Sequence, residues 1–138
     1  MAYYFSTLLD GDFAAAVARV REALKAEGFG VITEIDIQKT LKEKIGADFR
    51  PYLILGACNP ALAHEALQLE DKVGTMLPCN VVVQQTGEGI EVAAIDPVAS
   101  MQAIPNAMLV EKAGQVAARL RRAIESLQQV RTDAGAGC

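Results

Sequence analysis

Hydrophobic residues in the N-terminal half alternate between strand-like and helix-like spacing. Residues 3–8 are aromatic and β-favouring, which predicts a first strand. Over residues 12–27, apolar side chains recur at three- or four-residue intervals, which predicts an amphipathic helix capped by Asp12. The same reasoning predicts a second strand at 29–35, from two-residue alternation, and a short lysine-rich helix at 37–45, from four-residue spacing.

The second and third strands differ in their patterns. Two-residue alternation over 29–35 predicts that Phe29, Val31 and Ile35 lie on one face of the sheet. In the run 52–58, the residues that point to either face of the strand are predominantly apolar. This run therefore predicts a central strand that is covered on both faces, or on one face with a subunit contact on the other.

The C-terminal half predicts a helix, a hairpin and a long final helix. Pro60 follows the third strand and starts a helix that reaches about Leu69. The glycine-rich turn at 86–89 joins two strands into a hairpin. Apolar positions at helical spacing predict a last helix from about Pro105 to about Gln129.

The order of these elements favours one fold class. The late strands form a hairpin, and no glycine-rich phosphate loop follows the first strand, which argues against a doubly wound parallel sheet. The sequence therefore predicts an α+β domain, with helices packed on one face of a mainly antiparallel sheet. We expect a single domain over residues 3–130 and a flexible tail over residues 131–138.

Composition narrows the functional classes. Hydrophobic residues form 51% of the 138 residues, which argues against disorder. A formal net charge of −4 provides no cationic face for nucleic acid, so we expect no nucleic-acid partner. No apolar run approaches the roughly 20 residues that span a membrane, and the acidic residues that follow Met1-Ala2-Tyr3 lead us to expect no signal peptide. We therefore expect a cytoplasmic protein with reduced cysteines.

Two Cys-Asn pairs are the unusual local chemistry of the sequence. Cys58 and Asn59 end the run 52–58, whereas Cys79 and Asn80 open the next strand. If these strands are antiparallel neighbours, the two thiols lie at the same edge of the sheet; if they are parallel, the thiols lie at opposite ends. These four residues are the candidate ligand or thiol site. The start of a helix after Cys58 favours a reactive thiolate.

Two other interpretations of the cysteines stay open. Cys58, Cys79 and His64, the only histidine, are candidate metal ligands, since thiolates suit zinc or Cu(I). Alternatively, both cysteines are small buried residues at strand ends, and the asparagines are turn and cap residues. No motif identifies a cofactor.

Several of these segments resemble the family called domain of unknown function 302. The resemblance is carried by Ile-Leu-Gly-Ala-Cys-Asn-Pro at 54–60, Leu-Pro-Cys-Asn-Val-Val-Val at 77–83, and Ile-Asp-Pro at 95–97. It implies a fold similar to that of the TATA-binding protein, with a curved sheet and helices on one side, and a homodimer. It implies no assigned activity, and fold similarity alone does not imply DNA binding.

Three functional hypotheses follow. The first is a binding or regulatory module with a small-ligand or thiol site at the Cys58 and Cys79 strand ends. The second is a thiol-dependent oxidoreductase or sulfur-transfer protein that uses Cys58 as the nucleophile and Cys79 as the second thiol. The third is an interaction module in which both cysteines belong to the core.

Overall fold

A five-stranded antiparallel sheet forms one layer of the molecule. The computed structural model describes the backbone of residues 2–136 and the side chains of residues 2–128. The strands are β1 (Tyr4–Leu9), β2 (Gly30–Asp36), β3 (Tyr52–Cys58), β4 (Cys79–Thr86) and β5 (Gly89–Ile95). Their order across the sheet is β1-β5-β4-β3-β2, and every neighbouring pair is antiparallel.

The helices pack on one face of this sheet, which confirms the predicted α+β class. They are α1 (Phe13–Ala26), α2 (Ile37–Ile45), α3 (Pro60–Leu69), α4 (Pro97–Ser100) and α5 (Ala107–Ala136), with a 3₁₀ helix at Asp71–Met76. In the part of the chain with described structure, no helix is both long and apolar enough to cross a membrane.

Polar side chains fix where the helices begin. Asp12, Asp36 and Asn59 each accept a hydrogen bond from the backbone N–H three residues further on, at 2.9, 2.9 and 3.1 Å. Such a cap contributes about 1 kcal/mol to stability because it satisfies a donor that the helix leaves free. The start of α3 at Pro60 is therefore fixed two residues after Cys58.

The main core lies between the sheet and two long helices. Val83 of β4 and Val92 of β5 belong to one buried cluster with Val20 of α1 and Leu120 of α5. A second cluster lies beside it, between α3, the segment after α4 and the first turns of α5; its buried members are Ala66, Val73, Met101, Leu109 and Ala113. The seam between the two clusters is where the candidate site forms.

β2 departs from the predicted alternation. Val31 pairs with Ala57, but Thr33 pairs with Gly56, so two residues of β2 span one step of β3. This bulge reverses the face on which the following residues lie. Ile35 is consequently 46% exposed on the helix-free face, and the prediction that it shares a face with Val31 is wrong.

β3 is covered by helices on one face only. Leu55 and Ala57 are buried beneath them, whereas Ile54 lies half-buried on the other side. Strand pairing aligns Ile54 with Ile35 and Val82 there. The described chain therefore does not cover both faces of this strand, and a subunit contact on the second face stays a prediction.

The last helix continues beyond its predicted end near Gln129. Its backbone is helical to Ala136, because no proline follows in the sequence to stop it. The flexibility expected for residues 131–138 stays a prediction, and residues 137–138 lie outside the described part of the chain.

Replacement of Gly56 by alanine tests the packing at the centre of β3. A Cβ atom at this position would lie 2.0 Å from Thr33 Oγ1 and 2.6 Å from Pro78 Cγ. We expect Gly56→Ala to lower the free energy of unfolding by about 1–3 kcal/mol, as overpacking does. Urea denaturation measures this change.

Gly30→Ala is the matched control in the neighbouring strand. A Cβ atom there would have no heavy atom within 4 Å. Its unfolding free energy should stay within about 0.5 kcal/mol of the wild-type value. Equal destabilisation by the two substitutions would contradict the packing described around Gly56.

Candidate functional site

The two cysteines lie on neighbouring antiparallel strands. Cys58 is the last residue of β3, and Cys79 is the first residue of β4. Ala57 pairs with Cys79, which leaves Cys58 one residue beyond the cross-strand pair. The two residues are thus at the same edge of the sheet, as the sequence predicted for antiparallel neighbours.

Both cysteines are free thiols that differ in exposure. Cys58 is half-buried, whereas Cys79 is only 6% exposed and belongs to the main core cluster. Their offset register explains this difference. Cys79 shares the helix-facing side with Ala57, whereas Cys58 is at the point where the chain leaves the sheet for α3.

A cavity of about 40 Å³ lies at the seam of the two core clusters, and both cysteines line it. Its walls are predominantly apolar. They come from the β3–α3 corner, the start of β4, the 97–101 segment and α5. The cavity is large enough for a water molecule or a small chemical group, but smaller than the engineered apolar cavity of about 150 Å³ that binds benzene elsewhere.

Small side chains create this space. Ala57, Ala63, Ala66 and Ala113 all line the cavity, on the strand and on two helices that face one another across it. A leucine at any of these positions would carry three more carbon atoms toward the cavity. The cavity is therefore a consequence of alanine at positions where the helical and strand patterns require an apolar residue.

Asn59 lies at the edge of the cavity and performs the capping role that the sequence predicted. Its Oδ1 accepts the Leu62 N–H, and its Nδ2 packs over Gly28, where a Cβ atom would come within 3.0 Å. Gly28 has a φ of +86°, so it ends α1 in a conformation that glycine favours. These contacts hold the chain in place directly after Cys58.

Asn80 lies on the other face of the sheet. It pairs with Gly56 and borders a groove on the helix-free face, with Tyr52 and Val82 nearby. The two-residue alternation of β4 is the reason, because Cys79 faces the helices and its neighbour must face away. The structure therefore brings three of the four candidate residues, Cys58, Asn59 and Cys79, to the cavity.

His64 is outside the cavity. It lies on the exposed face of α3, where its Nε2 is 3.2 Å from Gln68 Nε2. The buried face of this helix carries Leu62 and Ala66 instead. The three candidate metal ligands are thus not brought together, and among the described residues no group of three His, Cys, Asp or Glu side chains is placed to hold a metal ion.

Burial changes the chemistry of one thiol. Burial in apolar surroundings, together with the smaller effect of negative charge on Cys58, raises the pKa of Cys79 from 9.0 to about 11. Desolvation is the larger cause, since a charged sulfur loses more hydration on burial than a neutral one. Cys79 is therefore a protonated thiol at neutral pH.

Several lining residues were not predicted from the sequence. Met101, Leu109 and Lys112 approach from the C-terminal part of the chain. Leu109 and Lys112 lie in the segment predicted as the last helix, but its helical spacing does not indicate that this helix meets the Cys58 corner. Lys112 is the cation of the lining, and its Nζ is 3.1 Å from Glu65 Oε1.

Alkylation tests the state of Cys79. In a Cys138→Ser chain, which leaves two thiols, we expect the iodoacetamide rate at Cys79 to rise about tenfold per pH unit without a plateau through about pH 10, because the thiolate is the reactive form. Mass spectrometry of the labelled peptides measures the rate, and circular dichroism verifies the fold at each pH.

Cys58→Ser in the same chain is the matched variant. It removes the neighbouring charge but leaves the burial, so the pKa of Cys79 should stay above 9.0. If the alkylation rate of Cys79 reached a plateau near or below pH 9.0, with or without Cys58→Ser, the result would contradict the burial described for Cys79.

Comparisons with known proteins agree with the resemblance in the sequence. The profile of the family described as "Domain of unknown function DUF302" matches residues 5–127. A crystal structure of an uncharacterized conserved protein DUF302 from Bacillus stearothermophilus has a TM-score of 0.84 and 29% sequence identity. The match covers 91% of this chain and 98% of that one. No curated protein matches the chain. Because the family profile spans nearly the whole fold, the chain belongs to the DUF302 family.

Proposed function

We propose that the chain is a small binding module that captures a small chemical group at the thiol of Cys58. The apolar cavity beside Cys79 receives the captured group. The observation that carries this proposal is that both thiols line one cavity, with Cys58 half-buried at its edge and Cys79 buried inside.

The size of the cavity limits the ligand. Sites for drug-sized molecules usually measure about 300–1,000 Å³. A volume of about 40 Å³ fits only part of a molecule. A covalent bond to Cys58 compensates for the small contact area, because noncovalent contacts of a few atoms provide only about 1.5 kcal/mol per atom at best.

The surroundings of Cys58 favour attack on an electrophile. Pro60, the first residue of α3, lies two residues after Cys58, and the positive end of the helix dipole favours negative charge nearby. Reduced thiols of this kind persist in the cytoplasm, and we include a cytoplasmic location in the proposal.

Thiol–disulfide exchange is a second candidate function, favoured by the placement of both thiols on one cavity, one register step apart on neighbouring strands. A Cys58 thiolate would attack a small disulfide, R–S–S–R, and release one R–S⁻. Cys79 would lose its proton to water, attack the Cys58 sulfur and release the second R–S⁻. Two electrons would thus pass to the substrate. The buried, protonated state of Cys79 slows the second step, which ranks this function below binding.

Labelling with methanethiosulfonates of two sizes tests the binding proposal. In the Cys138→Ser chain, methyl and benzyl reagents convert Cys58 to methylthio and benzylthio adducts. We expect dithiothreitol to release the methylthio group about tenfold more slowly than the benzylthio group, because burial shields the smaller adduct and adds about 1.4 kcal/mol to its barrier. Each release rate is divided by the rate for the same adduct in the urea-unfolded chain.

Two alanine variants of α3 provide the controls. Ala63→Leu fills the cavity and should remove the difference between the adducts, whereas Ala61→Leu on the exposed face of the helix should preserve it. Equal release rates in the parent chain would contradict the binding proposal. Loss of the methylthio group without added reductant, with an internal disulfide as product, would favour thiol–disulfide exchange instead.

We also infer that the chain forms a homodimer through the helix-free face of the sheet. Exposed or half-exposed apolar residues gather on this face, among them Tyr4, Leu8, Ile35, Ile54 and Val82. Strand pairing aligns Ile35, Ile54 and Val82 in one row across three strands, and exposed apolar residues grouped in this way are typical of an interaction surface.

Sedimentation at micromolar concentration tests the dimer. We expect Val82→Lys, which puts a charge in the centre of this face, to convert dimer to monomer without loss of helical content. Ala18→Lys on the exposed side of α1 is the control and should leave the dimer intact. A parent chain that sediments as a monomer at every concentration would refute this inference.

A further inference from the structure

The state of Cys79 determines what becomes of a group captured on Cys58. An internal disulfide forms only if Cys79 loses its proton and attacks the modified Cys58 sulfur. Cys79 is 6% exposed and surrounded by apolar residues, so the thiolate needed for this attack is scarce at neutral pH. A group on Cys58 is therefore kept rather than discharged within the chain, as in a carrier.

The cavity also restricts the size of the group that is kept. About 40 Å³ exceeds the roughly 10–15 Å³ that one water molecule needs on the same measure of cavity volume. The one sulfur atom that a persulfide transfers therefore fits this space, whereas most of a peptide-sized thiol would have to lie outside it. The apolar lining, which includes Leu62 and the Cys79 thiol, suits a soft, polarisable atom such as sulfur.

We propose that Cys58 is a carrier of sulfane sulfur, which accepts one sulfur atom from a small-molecule persulfide and holds it in the cavity. This inference rests on the thiol site proposed above and names its substrate class. The thiolate of Cys58 attacks the outer sulfur of R–S–SH. The new S–S bond forms at Cys58, the S–S bond of the donor breaks, and R–S⁻ leaves. The product is Cys58–S–SH, and the transfer consumes no separate oxidant or reductant.

The start of α3 helps to stabilise charge on the bound sulfur. A persulfide that loses its proton carries the negative charge on its outer atom, and an unpaired charge in an apolar cavity is costly. The first residue of α3, Pro60, lies two residues after Cys58, so the positive end of the helix dipole is near the modified thiol in the chain. Lys112 also borders the cavity, but its Nζ is paired with Glu65 Oε1 at 3.1 Å.

Sulfur loading measures the proposed transfer. The Cys138→Ser chain is incubated with glutathione persulfide, desalted and examined by intact mass spectrometry. We expect a mass gain of one sulfur atom per chain, released as thiocyanate by cyanide. Cys58→Ser should gain none, whereas Cys79→Ser should still load because Cys79 takes no part in the transfer.

Persistence of the loaded sulfur tests the role of the cavity. We expect Ala63→Leu to lose the sulfur to cyanide about tenfold faster than the parent chain, since the filled cavity no longer shields it. Ala61→Leu should match the parent, and circular dichroism verifies that both variants are folded. Equal loss from the two variants would show that the cavity does not hold the sulfur.

The outcomes separate this inference from the proposed thiol site. If methyl methanethiosulfonate modifies Cys58 and the methylthio group is shielded, but glutathione persulfide transfers no sulfur, the thiol site stands and the carrier proposal fails. If neither the methylthio group nor the transferred sulfur atom is shielded in the cavity, both proposals fail. Sulfur found on Cys79 instead of Cys58 would also overturn the carrier proposal.

Discussion

The cross-strand pair of Ala57 and Cys79 is the constraint on which the candidate site depends. This register leaves Cys58 at the end of β3, where the chain turns into α3, and buries Cys79 beneath the helices. A slip of one residue would move Cys79 to the helix-free face, because side chains alternate along a strand. Gly56 secures this corner, since Thr33 and Pro78 occupy the space where its Cβ would be.

This register gives two chemically identical side chains different properties. Cys79 is desolvated and protonated, whereas Cys58 borders both the cavity and the start of a helix. The alanines around them leave a space of about 40 Å³ that fits a small group. The proposed capture of a small group, and of sulfur in particular, follows from this combination of one accessible thiol, one buried thiol and a small apolar cavity.

Much of the fold follows from local patterns in the sequence. The caps at Asp12, Asp36 and Asn59 and the hairpin were predictable because each depends on residues close in the chain. The one-sided helix layer was predictable from the order of the elements. The bulge that exposes Ile35 was not, since it depends on the pairing of β2 with β3. The two-residue alternation of apolar side chains does not indicate where such a register shift occurs.

The candidate site was predictable only in part. The Cys-Asn steps indicated the correct corner, and strand alternation alone would have separated Asn80 from Cys79. Helical spacing would likewise have separated His64 from the buried positions Leu62 and Ala66. The approach of Lys112 and Met101 was beyond reach, because it depends on how distant helices meet.

A crystal structure of the chain after reaction with methyl methanethiosulfonate would test the central claim most directly. The account predicts a methylthio group on Cys58 that lies inside the cavity, in contact with Leu62 and the unmodified Cys79 thiol. A methylthio group that points into solvent while the cavity stays unfilled, or a modified Cys79, would contradict it.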